Sequence, residues 1–502
     1  MPEEDLYRTY LDNQRLNSNN SQNGNPQELL NFIKSSNLST IDAFIISIDQ
    51  MTSGGLVASR AIYDDYIEEE TAILKEIFSF IGEKPLYLLD TVMRLASTVG
   101  YNGYSLTEYT NLRNYGMKKR FQLPEEELTL ENVIASYNLD HKKTEIDYKG
   151  YHLSEEQYQN YLSARTRKLK LSTEVIKLIN RPNTYYMCGI DDSSNTLNIQ
   201  MNEVNYLKSL NKSINIFPGT DELGMLCLTK VYQDLIGYKS LKVKINYYGD
   251  ENLVSTYDGI SINENLLNHL NALNIKADNN HYDFEILVLV DEKIDNKFQQ
   301  NADLLVKKMK DNFKNNLPMA IIDATTAKNI LPNQLLENDN LSLLLGYSSW
   351  NTAGNAIGIA LSQSVARLHY LYSDYSLVQN DTTKGQISLL AYSLIKDITY
   401  KNNVLDELAT FINNDTKNEQ SSTNFYPYLK EEYYQKLETL MNDAEYSIKC
   451  IKNCLLGEVY DSLNKIISKK KVAAIEVSDF RFPWYRTFEI TFKVDATIKN
   501  LD

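Results

Sequence analysis

Short apolar runs alternate with longer amphipathic stretches between residues 41 and 347. Each apolar run has the length of a strand and ends in polar residues, and the stretches that come after it have helical spacing. The predicted strands are 41–48, 85–89, 185–190, 214–217, 241–247, 284–290, 319–322 and 343–347. The predicted helices between them are 68–81, 154–179, 200–210, 222–235, 263–273 and 299–316. Because parallel strands need a crossover and a helix supplies it, this alternation predicts an α/β protein with mostly parallel sheets.

About eight strand–helix units precede residue 370, and this number leaves two architectures open. Eight units close a β/α barrel, but they also build two open doubly wound sheets, which we favour. After residue 371 the pattern predicts helices at 374–412 and 428–468, and then a short β tail with strands at 473–477 and 488–492. We therefore predict a first α/β domain at 1–185 with a polar insertion at 100–150, a second at 186–370, and a helical C-terminal region at 371–502.

Composition and charge narrow the range of partners. The chain has 502 residues, of which 43% are hydrophobic, so it can bury a large core. Its net charge of −15 repels phosphate backbones and anionic membrane surfaces, so we expect the protein to bind neither nucleic acid nor membranes. The sequence has no run of 18 apolar residues and no secretory signal, so we expect a cytoplasmic protein, whose oligomeric state stays open.

Polar residues follow most of the predicted strands. They are Asp49, Asp90 with Arg94 beyond it, Asp191 and Asp192, Asp221 and Glu222, and Asp323. A single acid at a strand end is usually a helix cap, but five strand ends out of eight carry one. In a parallel sheet these carboxylates share one edge and repel each other. Such an edge needs a cation, a sugar-like hydrogen-bonding ligand, or raised pKa values.

Two pairs of carboxylates are the candidates for acid–base chemistry. Asp191 and Asp192 leave a strand together, so one could orient the site while the other transfers a proton. Asp221 and Glu222 open a helix after a Pro-Gly turn and would supply the second pair. The alternative is that each pair consists of helix-capping and surface residues that suit the helix dipole.

The stretch at 350–358 is the most distinctive in the chain. Its candidate ligand-binding residues are Trp350, Asn351, Thr352 and Asn355. The tryptophan could stack on a sugar ring, and a helix N-terminus with amide and hydroxyl side chains could hold hydroxyl groups. Gly354 and Gly358 share one helix face, so tight packing against a strand is the alternative explanation.

Several familiar mechanisms lack their motifs. None of the five histidines follows a predicted strand, which argues against a Ser-His-Asp triad. The sequence has no HExxH, paired CxxC, Walker A or GxGxxG motif, so we predict no zinc and no nucleotide cofactor. A divalent metal held by the strand-end carboxylates remains possible.

Several distinctive segments span nearly the whole chain. They are Ile46-Ser47-Ile48-Asp49, Ser53-Gly54-Gly55-Leu56 with Ser59-Arg60, Asp90-Thr91-Val92-Met93-Arg94, Asp191-Asp192-Ser193, Pro218-Gly219-Thr220-Asp221-Glu222, residues 350–358, and Pro483-Trp484-Tyr485-Arg486 with Phe488-Glu489. Together these segments resemble a bacterial family, the domain-of-unknown-function family numbered 4127. The resemblance implies an intracellular bacterial protein of about this length and carries no particular activity. Family members begin with a strand ending in an acidic motif, and residues 1–30 resemble only the segment that comes after this motif in the family. We therefore expect that strand and its acidic loop to be missing.

These observations lead to one hypothesis with two alternatives. The hypothesis is a carbohydrate-active enzyme, similar to a glycoside hydrolase, that uses the strand-end carboxylates on a small polar or sugar-like ligand. The first alternative is a metal-dependent enzyme acting on a phosphorylated substrate. The second is a non-catalytic ligand-binding protein with two lobes.

Overall fold

Contacts between residues divide the chain into two units. The computed structural model describes residues 1–2, 24–62, 66–98, 105–139, 149–236, 240–290, 296–325, 330–349, 351–373, 379–417, 430–460, 470–483 and 486–501. Unit 1 takes the described residues up to Cys227 together with Thr256–Ile260. Unit 2 takes Leu228–Ser255 and the described residues from Ser261 onward.

Unit 1 is built on a four-stranded parallel sheet. Its strands are β1 (Phe44–Ser47), β2 (Leu86–Val92), β3 (Thr184–Ile190) and β4 (Asn215–Pro218), in the spatial order β1-β2-β3-β4. Its helices are α1 (Pro26–Lys34), α2 (Ile48–Ser53), α3 (Leu56–Ser59), α4 (Ile67–Ile81), α5 (Leu106–Met117), α6 (Leu130–Ala135), α7 (Glu155–Leu178) and α8 (Gln200–Leu210). The helix α9 (Leu223–Leu235) begins in this unit.

Local sequence explains where the helices of unit 1 begin. Capping boxes start α5 and α7, at Ser105 with Glu108 and at Ser154 with Gln157. The apolar faces of α4 and α7 are buried together with Leu86 and Leu88 of the central strand β2. The core therefore follows the predicted pattern, in which strands buried on both faces read as apolar runs.

Unit 2 contains a five-stranded parallel sheet and a smaller antiparallel one. The parallel strands are β5 (Lys242–Tyr248), β6 (Lys276–Ala277), β7 (Phe284–Leu289), β8 (Met319–Asp323) and β9 (Leu344–Ser348), in the order β6-β5-β7-β8-β9. The helices are α10 (Ile262–Ala272), α11 (Asn296–Lys314), α12 (Ile330–Leu335), α13 (Ala353–Tyr372), α14 (Gln379–Leu394), a π-helical segment (Ile395–Val404), α15 (Leu405–Thr416), α16 (Glu431–Asp443) and α17 (Glu445–Leu455). The strands β10 (Gly457–Glu458), β11 (Lys470–Arg481) and β12 (Thr491–Asn500) form the antiparallel sheet.

The predicted α/β class, with its alternating parallel strands and its helical C-terminal region, is confirmed. The eight predicted strands correspond to β1–β5 and β7–β9 within a few residues at each end. Among the described strands neither parallel sheet closes on itself, so the barrel alternative does not hold. None of the described helices combines the length and the apolar character needed to cross a bilayer.

Three details differ from the prediction. Asp90 was expected to follow a strand, but it lies within β2, which runs to Val92. The single helix predicted at 428–468 is two helices, α16 and α17, followed by β10. The final strand begins at Thr491, because its pairing with β11 rather than its apolar run decides its extent.

Gly189 in β3 allows the turn after β4 to approach the sheet. A Cβ atom at this position would lie 2.1 Å from the Gly219 carbonyl oxygen and 2.9 Å from the Thr220 methyl group. We expect Gly189→Ala to lower the free energy of unfolding by about 1–3 kcal/mol, because the turn would have to shift. Urea unfolding followed by circular dichroism measures this effect.

Gly224 in α9 provides the matched control, since a Cβ atom there meets nothing within 4 Å. Gly224→Ala should leave stability unchanged or raise it by up to about 1 kcal/mol, because alanine is the better helix former. Equal effects of the two substitutions would contradict a steric role for Gly189.

Candidate functional site

The structure places the predicted site residues in two groups. Unit 1 contains Asp49, Asp90, Arg94, Asp191, Asp192, Asp221 and Glu222. Unit 2 contains Asp323, Asn351, Thr352 and Asn355, and Trp350 lies outside the described residues. Each group therefore lies at or near the carboxyl ends of the strands of its own parallel sheet.

A buried lysine joins the first two carboxylates of unit 1. The Nζ atom of Lys168 in α7 lies 2.6 Å from Asp49 Oδ1 and 2.6 Å from Asp90 Oδ1. The remaining oxygens accept hydrogen bonds, from Thr91 Oγ1 to Asp49 (2.8 Å) and from the Tyr186 hydroxyl to Asp90 (2.6 Å). The repulsion expected between strand-end carboxylates is thus removed by a cation of the chain itself.

The electrostatics of this triad favour the charged forms of Asp90 and Lys168. Burial would raise the pKa of Asp90, but the charge of Lys168 and the hydrogen bonds from Lys168 and Tyr186 outweigh it and lower that pKa. Burial would likewise lower the pKa of Lys168, and the two carboxylates raise it above its usual value. Asp90 and Lys168 therefore form a buried ion pair in which neither group is suited to donate a proton.

Two arginine–aspartate ion pairs lie further out on the same edge. Arg60 at the end of α3 pairs with Asp191, and Arg94 after β2 pairs with Asp192. The first pair is nearly buried, with 7% and 8% of the two side chains exposed, whereas the second is more open at 15% and 17%. Asp192 also has a left-handed backbone, with φ of +35°, which non-glycine residues rarely adopt. The second pair is therefore the accessible part of the edge, and it includes the residue with the unusual backbone.

Asp221 belongs to the same electrostatic environment. Burial lowers the pKa of Arg60, and the charges of Asp191 and Asp221 oppose this change. Burial would also lower the pKa of Arg94, but Asp191, Tyr109 and Asp221 together raise it. The exposed carboxylate after β4 thus acts on both guanidinium groups.

The turn after β4 places the side chains of Asp221 and Glu222 in different surroundings. Gly219 has φ of +117°, and the Glu222 Oε1 atom lies 1.9 Å from the place of a Cβ atom at this glycine. The Glu222 side chain is therefore folded back and fully buried, while Asp221 is exposed. This geometry leaves Asp221 as the member of the pair that a ligand can reach.

The sequence analysis missed the cations of α7. In addition to Lys168, this helix contributes Arg165, which pairs with Glu203 at 2.6 Å, and Arg167, which pairs with Glu70 at 2.5 Å. A usable signal existed, since Arg165 continues an apolar stripe at four-residue spacing from Tyr161. A charged residue on such a stripe is buried and needs a buried partner.

A small cavity lies between α7, α8 and β2. It has a volume of about 10 Å³, which is room for a single water molecule, and its mostly apolar lining includes residues Arg165, Lys168 and Glu203. Among the described residues, no group of three or more histidine, cysteine, aspartate or glutamate side chains is arranged to hold a metal ion.

The edge of unit 2 agrees in part with the alternative explanations. Asp323 ends β8 and accepts hydrogen bonds from the Thr325 backbone N–H (3.2 Å) and hydroxyl (2.6 Å), as a turn residue does. Thr352 is the N-cap of α13 and accepts from the Asn355 backbone N–H at 3.4 Å. Asn355 is buried, and Asn351 is exposed with φ of +59°. These contacts give Asp323 and Thr352 local structural roles.

Three charged residues near this edge were not predicted. Lys396 in the π-helical segment lies 3.4 Å from Glu489 and 3.9 Å from Asp397. Asp397 in turn accepts a hydrogen bond from the Ser349 backbone N–H at 2.9 Å, directly after β9. They come from distant parts of the chain, so strand-end reasoning does not find them.

The fold and the edge of unit 1 define a class of protein. It is an α/β protein with two open parallel sheets, and the first sheet carries a set of ion-paired carboxylates at its carboxyl end. The chain matches the family described as "Protein of unknown function (DUF4127)" over residues 8–493, and it belongs to that family. No curated protein and no solved structure matches it.

Proposed function

We propose that unit 1 binds a small, hydroxyl-rich, sugar-like ligand at the carboxyl edge of its sheet and hydrolyses a bond in it. The observation that carries this proposal is the pair of adjacent arginine–aspartate ion pairs, of which Arg94–Asp192 is the more exposed. A guanidinium group donates several hydrogen bonds in a fixed planar geometry, and a carboxylate accepts hydrogen bonds. Alternating groups of these two kinds therefore match the neighbouring hydroxyl groups of a sugar.

The roles of the residues follow from their surroundings. Asp192, which pairs with Arg94, is the candidate general base that takes a proton from the attacking water. Asp221, exposed on the turn after β4, is the candidate proton donor to the leaving group. Glu222 is the buried carboxylate next to it in the chain. Asp191 and Arg60, which are nearly buried, orient the site.

A ligand-binding protein without turnover is the second candidate. Burial raises the pKa of two carboxyl groups of unit 1, Glu70 and Glu203. Both pair with arginines of α7 and are almost inaccessible, so a substrate cannot reach them. Binding of a ligand through the more open Arg94–Asp192 pair needs no proton donor, and this supports the second candidate.

A metal-dependent enzyme stays a third proposal with less support. Lys168, Arg60 and Arg94 already hold the carboxylates that a divalent cation would need. A divalent cation at this edge would have to displace at least one of these ion pairs.

The test is a panel of sugars, sugar phosphates, aryl glycosides and divalent metal ions. Thermal shift measures binding, and release of the aryl group measures hydrolysis. We expect Asp192→Asn to lower the rate of hydrolysis by about 10²–10⁴-fold, because it removes the general base but keeps the size of the side chain. Glu76→Gln is the control, since Glu76 forms an exposed ion pair with Lys34 in the same unit.

Each outcome decides between the candidates. Hydrolysis that is lost in Asp192→Asn but kept in Glu76→Gln supports the enzyme. Stabilisation by a sugar without hydrolysis supports the binding protein. A response to metal ions alone, reversed by a chelator, supports the metal-dependent enzyme. A sugar response that Asp192→Asn leaves unchanged would place the site elsewhere.

A further inference from the structure

Three residues on two helices donate hydrogen bonds to the backbone of the loops that carry the ion pairs. Arg167 in α7 donates from Nη2 to the Ser59 carbonyl oxygen at 2.7 Å, directly before Arg60. Arg165 in the same helix donates from Nη2 to the Met93 carbonyl oxygen at 2.7 Å and also to the Arg94 carbonyl oxygen. Each arginine therefore holds the backbone next to one guanidinium group of the proposed site.

Gln200 at the start of α8 links the second loop to the third. Its Nε2 atom donates to the Met93 carbonyl oxygen at 3.0 Å and to the Asp191 carbonyl oxygen at 2.8 Å. The loop of Arg94 and the loop of Asp191 and Asp192 are thus tied through one amide group. We name Arg165, Arg167 and Gln200 the backbone clamp.

The three clamp residues are buried, and each arginine also forms an ion pair. With the other end of its guanidinium group, Arg165 pairs with Glu203 and Arg167 with Glu70. One guanidinium group can bind both partners because its several N–H donors point in different directions. A lysine at the same position could keep the ion pair but could not also reach the carbonyl oxygen.

We propose that Arg165, Arg167 and Gln200 are positioning residues that fix the Arg60–Asp191 and Arg94–Asp192 pairs in the geometry the ligand requires. Groups held before the ligand arrives bind it without a further cost of ordering. The inference rests on the proposed function for its purpose. The clamp itself can be tested without a ligand, so the two can fail separately.

The experiment is hydrogen exchange, measured by mass spectrometry, on the 502-residue chain and on its Arg165→Lys and Arg167→Lys variants. The reporters are backbone amides near each held carbonyl. The Arg60 N–H donates to Val57 at 3.3 Å, and the Asp191 N–H donates to Val92 at 3.2 Å. We expect roughly tenfold faster exchange around Arg60 in Arg167→Lys only, because the charge-assisted bond to Ser59 is lost. We expect a similar increase around Asp191 in Arg165→Lys only, because the charge-assisted bonds to Met93 and Arg94 are lost.

Arg120→Lys is the matched control. Arg120 is also buried in unit 1 and donates to backbone carbonyl oxygens, those of Tyr115 (3.0 Å) and Tyr137 (3.1 Å). Its replacement should speed exchange near its own partners and leave the amides of Arg60 and Asp191 at the wild-type rate. Gln200→Met serves as a second variant if a lysine variant fails to fold. It changes no charge and should speed exchange at Asp191.

A rise in exchange that is uniform over unit 1 in every variant would overturn the proposal, because it would show a loss of stability without local positioning. Wild-type exchange at both reporters would overturn it as well. If the local effects occur but no ligand of the panel binds, the clamp stands and the proposed function fails.

Discussion

Lys168→Met is expected to lower the free energy of unfolding by about 3–5 kcal/mol, the usual effect of removing one partner from a buried charge cluster. Asp49 and Asp90 would then share a site with 3% and 0% of their side chains exposed and no cation between them. Their mutual repulsion and the cost of desolvation would both act against folding. Urea unfolding followed by circular dichroism measures the change.

A second lysine gives the control for this prediction. Lys34→Met removes the ion pair with Glu76, whose side chains are 48% and 53% exposed, and such pairs contribute at most about 1 kcal/mol. Adding Asp49→Asn and Asp90→Asn to Lys168→Met should recover part of the loss, since neutral amides carry no uncompensated charge. If Lys168→Met lowers the free energy of unfolding no more than Lys34→Met does, the triad does not stabilise unit 1.

Lowering the pH from about 6.5 to about 4 is expected to destabilise unit 2 through His369. This residue of α13 is fully buried, and its burial lowers the pKa of the imidazole to about 4, although the charges of Asp283 and Asp234 oppose the shift and Lys230 adds to it. In the unfolded chain the pKa is the ordinary 6.5. Between these two values the unfolded state binds a proton that the folded state does not.

The sign and the size of this effect follow from that difference. The contribution of His369 to stability is complete above pH 6.5 and is lost as the pH falls toward 4. Each unit of pKa difference corresponds to about 1.4 kcal/mol, and because the folded state itself begins to bind a proton near its pKa of about 4, we expect a loss of about 2–3 kcal/mol. The measurement is the free energy of unfolding at several pH values in this range.

His369→Gln should show a pH dependence that is weaker by up to one proton, because the titrating group is gone. His152→Gln is the control at an exposed histidine and should keep the wild-type pH dependence. An identical pH dependence in wild type and His369→Gln would show that other groups cause the acid destabilisation.

The strands of this fold could be read from the sequence because the signal is local. The apolar run 286–289 of β7 is buried on both faces in a parallel sheet, so its identification as a strand needs no information from elsewhere in the chain. The helix starts are similarly local, as the capping boxes at Ser105 and Ser154 show. The place where a strand ends depends also on its neighbour, and Asp90 lies inside β2 because pairing with β3 extends the strand past it.

The carboxylates of the edge could be found by the same local reasoning, but their charge partners could not. Lys168 lies 119 residues from Asp49 and 78 from Asp90, and Arg60 lies 131 residues from Asp191. Nothing in the neighbourhood of a strand end indicates which helix will bring a cation to it. The apolar stripe of α7 indicates that Arg165 is buried, but it does not indicate which residue pairs with this arginine.

The sequence by itself therefore determined the α/β class, the positions of the strands and the acids that gather at their ends. These depend on the period of apolar residues and on short-range capping. Only the tertiary structure decided which strands share a sheet and that Lys168, Arg60 and Arg94 of the chain itself form ion pairs with four of the carboxylates of unit 1. The physical reason is that a buried charge is stabilised by whatever opposite charge the packing brings within about 4 Å, regardless of its distance along the chain.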